Sequence, residues 1–320
     1  MGRLPKQLIF ISSIRNSVPD IKNSLLELKT VFAIKLEKKQ YKTYTLSDLS
    51  FNSSINVVPE LGGIITSWCV ENQELLYLES KSFENRELNV RGGIQILFPI
   101  CGNLANNIYK YNGNNYFLKQ DGFAQYLPWE VIEKSNQDRA SITLVLTSNR
   151  LTRTVYPFDF KLTFTYQVKG NSLEIFQTYT NLENTQRMPF STGLHPYFLA
   201  PNKHQLHFDI PSMQYCDHKT GTIYDNDCEF DPNLDEVNAV FEKLTGLATT
   251  VYDRSRNLRI TLSYTHPYST IVFWTVKNQD FYCLEPWTAP DNSLNTGYRL
   301  VNLDPGSSCQ MLIRLTATFV

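Results

Sequence analysis

From Tyr41 to the end of the chain, apolar and polar residues alternate with a period of two, the spacing of strands that bury one face. The candidate strands are short. Tyr41–Leu46, Ile55–Val58, Ile64–Val70 and Leu75–Leu78 come first, divided by Asn, Ser and Gly. Asn112–Asn115, reading NGNN, predicts a hairpin turn between Ile108–Tyr111 and Tyr116–Leu118. Ile142–Leu146 alternates, and Phe160–Val168 does so more clearly, with Phe160, Leu162, Phe164, Tyr166 and Val168 on one face. Lys169–Asn171 turns the chain into Leu173–Tyr179. Leu206–Ile210, Thr249–Tyr252, Leu258–Tyr264, Ile271–Thr275, Leu300–Leu303 and Met311–Phe319 continue the series, and only Leu234–Leu244 reads as a turn of helix. So many short strands with so little helix predict an all-β fold, a large antiparallel sandwich or barrel, with residues 41–320 as one domain.

The first forty residues break the pattern. Within Asp20–Lys39 the apolar positions Ile21, Leu25, Leu28, Phe32 and Leu36 are spaced for an amphipathic helix, although a loosely ordered leader or an upstream start codon fits equally. Charge separates them too: residues 1–40 carry net +5 and the remainder net −6. Residues 1–40 are therefore read as a basic extension, dispensable for folding.

Composition narrows the class. At 320 residues the chain can bury a sizeable core. Hydrophobic residues at 42% and charged residues at 19% describe a globular chain, and 13% aromatic residues favour strands. A net charge of −1 gives no basis for nucleic-acid or membrane partners. No apolar run approaches the ~18 residues of a membrane span. The six cysteines form no CxxC pair and fall mostly in apolar runs, so they read as buried free thiols of a cytoplasmic protein.

Candidate chemistry sits in a few stretches. Tyr282–Gly297 reads YCLEPWTAPDNSLNTG; Glu285 lies at a strand end, held extended by Pro286 and followed by Trp287. A fixed carboxylate beside an indole suits a sugar site, since the acid handles protons and the ring offers an apolar face. Ser191–Phe198 reads STGLHPYF, where His195 also precedes a proline and Gly193 permits a tight approach. Each alone has a plain structural explanation; together they make an acid/base pair if the fold joins them. Arg91–Asn103, RGGIQILFPICGN, offers Arg91 for a hydroxyl or phosphate and Gly92–Gly93 for close backbone approach to a ligand, or else a strand entry with a surface arginine. Asp121 before Gly122 reads first as turn chemistry. His204 and His207 would face opposite sides of a strand, Asp225–Asp227 lacks the pattern of a calcium loop, and no Gly-rich phosphate loop follows a strand. Neither a metal nor a nucleotide cofactor is expected.

These pieces, taken in order, resemble the aldose 1-epimerase (galactose mutarotase-like) family over roughly residues 41–320. The carrying motifs are RGGIQILFPICGN, NNIYKYNGNNYFLKQDGFAQ, TGLHPYF, CLEPWTAPDNSLNTG and the late LDPG, and the RGG and FP pieces are also similar to the hexose-6-phosphate mutarotase branch. The resemblance implies a β-supersandwich with an open sugar groove, acting as a monomer or homodimer without a cofactor. It implies interconversion of the α and β anomers of an aldose, with His195 as acid and Glu285 as base on opposite sides of the sugar. Substrate-binding positions implied by it are Arg91, Asn103, Asp121, Asn238 and Trp287.

Three departures alter the cradle. The family's HGFAR reads DGFAQ, placing Asp121 where a histidine donates and Gln125 where an arginine stands. PNRI reads GNLA, keeping Asn103. The family's sugar-binding aspartate falls on Asn238 in VNAVF. An aspartate at 121 can only accept hydrogen bonds when ionised, and near His195 it would raise that residue's pKa. On this reading Asp121 limits turnover. A carbohydrate-binding protein with weak or no catalysis, and a sugar-phosphate mutarotase using Arg91, are the alternatives.

Overall fold

In the computed structural model the described residues are 2, 31–38, 40–85, 89–227 and 229–320. Residues 31–320 form one unit, distinct from residues 1–30. Two antiparallel sheets dominate it. The larger, twelve-stranded sheet runs from Phe32–Lys38 through Lys42–Asp48, Ser53–Val58, Ile64–Val70 and Ile94–Leu97 to its middle. It continues through Gly193–Leu199, Phe281–Trp287, Thr270–Val276, Glu236–Phe241 and Gln214–Asp217 to Ile223–Asp225, with Gln73–Glu74 paired on Ile64–Val70. The eight-stranded sheet orders Leu206–Asp209, Ala248–Asp253, Leu258–Tyr264, Ser308–Phe319, Ser172–Asn181, Phe160–Lys169, Ala140–Thr147 and Glu130–Ser135.

Alternation decides which face is inside. Phe160, Leu162, Phe164, Tyr166 and Val168 are all buried, and they share one hydrophobic core with Leu46, Ile55, Val57 and Trp68 of the larger sheet. Phe98 meets Tyr156, Tyr179 and Phe190 edge-on or tilted at centroid separations of 5.5–6.0 Å, and Tyr179 stacks on Phe190 at 5.0 Å. The turn at Asn112 and Gly113 has positive φ at both residues, which Asn-Gly accepts at low cost.

Two readings change. Glu236–Phe241, inside the stretch with helical spacing, is a strand: it pairs residue for residue with Thr270–Val276 and buries Val237, Ala239 and Phe241 in the core. Phe32–Lys38 is also a strand and pairs in full register with Lys42–Asp48, so the sheet begins inside the stretch set apart by charge. Pairing with a neighbour overrides the weak local preference of so short an element. The rest of the helical pattern, from Asp20 to Thr30, lies outside the described residues. Among the described residues no helix is long and apolar enough to cross a membrane. Cys69, Cys101, Cys216, Cys283 and Cys309 are free thiols, two of them buried, and Cys228 lies outside the described residues.

Candidate active site

The large sheet has a second populated face, turned away from the shared core. Leu194, Phe198, Tyr282 and Leu284 point into the core, so their alternates point the other way. His195, Tyr197, Cys283, Glu285 and Trp287 occupy those alternate positions. They lie at the sheet's middle, where Gly193–Leu199 pairs with Phe281–Trp287. Gly193 lies opposite Trp287 and Tyr197 opposite Cys283, so the same register puts His195 opposite Glu285. Pro196 and Pro286 each withhold an N–H there, and the recorded pairing of the two strands lapses between those positions. Both prolines keep the preceding residue extended, as the sequence predicts.

This face floors a groove of about 940 Å³. The His195 Nε2 lies 3.4 Å from Glu285 Oε1. Trp287 Nε1 donates to the other Glu285 oxygen at 3.1 Å. The imidazole stacks on Tyr197, centroids 4.6 Å apart and rings within 7° of parallel, and meets the edge of Trp274 at 5.9 Å. Gly193 is required by the indole: a Cβ there would come within 2.7 Å of Trp287 Cδ1. The acid and base are therefore side by side on one floor. With 3.4 Å between them no ring fits in the gap, which corrects the expectation that they flank the sugar. Adjacent strands in register leave no other arrangement.

Burial sets the protonation of this pair. Glu285 is pushed well above the usual carboxylate range, first by burial and then by the charge of Asp121. His195 is pulled down to about 3 by burial. Its Nδ1 is buried without a hydrogen-bond partner, so charging the ring is costly. Burial therefore favours the neutral form of both groups, the carboxylic acid of Glu285 and the imidazole of His195. The two groups are close enough to titrate together.

The remaining predicted residues line the same groove, with different tasks. Arg91 is exposed in it, and among the described residues no carboxylate pairs with its guanidinium. Gln95, opposite His195, donates from Nε2 to the carbonyls of Val90 and Gly92 at 2.8 and 3.1 Å and holds the turn that carries Arg91. Gly92 and Gly93 have a structural reason to be glycine. A Cβ on either would come within 2.5 Å of a neighbouring carbonyl, that of Tyr77 or of Ile65, so they permit strand-to-strand contact.

Asp121 braces the loop. Its Oδ1 accepts from Gly102 N–H at 2.7 Å, while its own N–H donates to Gly102 O at 2.9 Å, at a positive φ of 62°. It is buried, which pushes its carboxyl up to about 7. Its charge acts on Glu285, and no such influence reaches His195, contrary to the sequence expectation. Asn103 donates its N–H to Asp291 Oδ1 at 2.7 Å. Asn238 lies opposite Trp274 on the neighbouring strand and lines the groove.

Among the groove residues that escaped the sequence reading are Tyr197, His218, Glu236, Trp274 and Asp291. His218 Nε2 pairs with Asp291 Oδ2, and its Nδ1 lies 3.4 Å from Asn238 Nδ2. Glu236 accepts from Trp274 Nε1 at 2.7 Å. Tyr197 was within reach, being two residues from His195 on the same strand face, and Asp291 lies inside a motif already singled out. His218 carries no local signal at all. A ring nitrogen of His195, the Cys283 sulfur and a Glu285 oxygen lie within 4.8 Å of one another, a set able to hold a metal ion. Cys283 and Glu285 share one strand face, and His195 joins them only through the sheet.

The family model described as Aldose 1-epimerase matches residues 44–316. The Slr1438 protein of Synechocystis sp. PCC 6803 has a crystal structure 40% identical in sequence, with a TM-score of 0.86 over 90% of this chain and 99% of that one. A galactose mutarotase-like protein of Clostridium acetobutylicum shares the fold at 19% identity, with a TM-score of 0.78 over 91% of this chain and all of that one. The chromosomal LacX protein of Lactococcus lactis is 25% identical over 233 residues, covering 64% of this chain and 77% of LacX. The chain belongs to the aldose 1-epimerase family.

Proposed function

We propose that this protein is a mutarotase that interconverts the α and β anomers of an aldose by acid/base ring opening at His195 and Glu285. The observation that carries the reading is their contact, Nε2 to Oε1 at 3.4 Å, on the floor of an open polar groove. The anomeric hydroxyl and the ring oxygen are both bonded to C1, so two groups side by side reach both. Glu285 as carboxylate takes the hydroxyl proton while His195 as imidazolium protonates the ring oxygen, and the C1–O5 bond breaks to give the aldehyde. Rotation about the neighbouring carbon–carbon bond and reclosure with roles reversed give the other anomer. The aldehyde stage leaves a proton on Glu285 and His195 neutral, the distribution that burial favours in the empty site. Trp287 and Trp274 offer the faces and edges on which a pyranose packs.

The test is polarimetry of freshly dissolved α-D-glucose and α-D-galactose. Acceleration over buffer, lost in Glu285→Gln, supports the reading; a wild-type rate equal to buffer across free and phosphorylated aldoses overturns it in favour of binding without turnover. One observation favours a phosphorylated substrate: Arg91 enters the groove without a carboxylate partner among the described residues. Faster turnover of glucose 6-phosphate than of glucose, reversed in Arg91→Ala, would select that substrate.

A further inference from the structure

His218 is the groove residue for which neither motif nor fold requirement accounts. It follows the strand Gln214–Asp217, close to the sheet edge, and its side chain reaches across to Asp291 on the loop after Trp287. Asp291 is itself fixed, since Oδ1 accepts the Asn103 N–H at 2.7 Å. A Cβ on Gly102, whose φ is +64°, would overlap the Asp291 carboxylate, so that loop is shaped around the acid. The other face of the imidazole ring system meets Asn238: Nδ1 and the amide Nδ2 are 3.4 Å apart, while the amide Oδ1 is buried with no partner.

The carboxylate of Asp291 favours the imidazolium and raises the His218 pKa, and Asp217 and Glu236 add to it. A charged His218 bears an N–H on both nitrogens. Nε2–H is taken by Asp291. Nδ1–H then faces the Asn238 NH₂, and two donors meet with no acceptor between them. An oxygen placed there satisfies both. The same point lies where the main groove adjoins a smaller cavity of about 250 Å³, lined by Asp217, His218, Lys219, Glu236 and Asn238.

We propose that His218 is a substrate-binding residue, whose Nδ1–H together with Asn238 Nδ2–H holds one ring hydroxyl oxygen of the sugar other than the two at C1. This rests on the groove being a sugar site. In it the chain keeps a cationic donor in the cradle although position 121 is an aspartate and position 238 an asparagine. The donor comes from a different strand end, held by a different acid. Two competing arrangements would make His218 purely structural: a flipped Asn238 amide whose Oδ1 accepts from Nδ1–H, and a neutral imidazole whose Nδ1 accepts from Asn238 Nδ2–H.

Equilibrium binding separates the two, read by quenching of Trp274 and Trp287 fluorescence with D-glucose, D-galactose and their monodeoxy analogues. His218→Ala should weaken binding of a parent sugar about tenfold, the effect of losing one charge-assisted hydrogen bond. For the one deoxy analogue lacking the hydroxyl in question, wild type and His218→Ala should bind alike. His218→Asn, which retains an uncharged donor, should recover part of the loss. Equal weakening of every analogue by His218→Ala, or no weakening of any, overturns the assignment while leaving the sugar site standing. Failure of the wild type to bind any of these sugars overturns both.

Discussion

The floor of the groove and its far wall are built on opposite principles. On the floor, His195 and Glu285 are placed by strand register at the middle of a twelve-stranded sheet, and each is followed by a proline. On the wall, side-chain hydrogen bonds tie Asp121 to Gly102, Asp291 to Asn103 and His218 to Asp291, with Asn238 beside the imidazole. Register allows one geometry, so the floor keeps its residues. Hydrogen-bonded loops accept many solutions, so an acid can stand at 121 and a histidine can enter from elsewhere. On the proposed function, the difference puts chemistry on the floor and selectivity on the wall.

That division is open to attack at both ends. Glu285→Gln removes the base and should lower the mutarotation rate constant about 10³-fold, within the span of general acid–base catalysis, while sugar binding stays near wild type. A comparable loss of binding would show that the floor also selects. Gly102→Ala strikes the wall first: the added Cβ overlaps Asp291 at a positive φ and comes only within 3.0 Å of the Trp287 ring. Sugar affinity should fall about tenfold with the loss of one anchored donor, and stability should fall by more than about 1 kcal/mol, read as a drop in thermal midpoint.

A subtler probe couples the two halves. The proposed mechanism needs one proton on the His195–Glu285 pair. It is lost at high pH as Glu285 ionises, above the ordinary carboxylate range, and at low pH as His195 takes a second proton near its lowered value of about 3. Ionised Asp121 raises Glu285 further. Asp121→Asn removes that charge, so Glu285 gives up its proton more easily and the alkaline limb of the rate profile should move to lower pH. An unmoved limb would separate wall from floor electrostatically. The smallest effect should come from deleting residues 1–30, which precede the unit formed by residues 31–320. The thermal midpoint should stay within about 2 °C, whereas deletion through residue 40 also removes the strand Phe32–Lys38 and should lower it more.

Legibility in the sequence followed the same line. Strands with strict alternation, such as Phe160–Lys169, and turns with Asn-Gly chemistry were readable because local pattern and final burial agree. His195 and Glu285 were readable through their prolines and flanking motifs. Glu236–Phe241 and Phe32–Lys38 were not, because short segments take their state from the neighbour they pair with. His218 was invisible, since its meaning depends on Asp291, seventy-three residues away in the chain. Asp121 was visible as a departure, but its bond to Gly102 N–H was not, and Asp121→His would cost the loop that acceptor.

The pairing of Gly193–Leu199 with Phe281–Trp287 has a consequence for how the protein comes into being. The acid and the base belong to segments distant in sequence, and they meet only when the centre of the sheet closes. Long-range pairings of this kind form late and cooperatively. A partly folded chain with hairpins in place, such as Phe160–Lys169 against Ser172–Asn181, would carry much native structure and no reacting centre. Activity should then return in the last kinetic phase of refolding, making turnover itself a reporter of sheet closure.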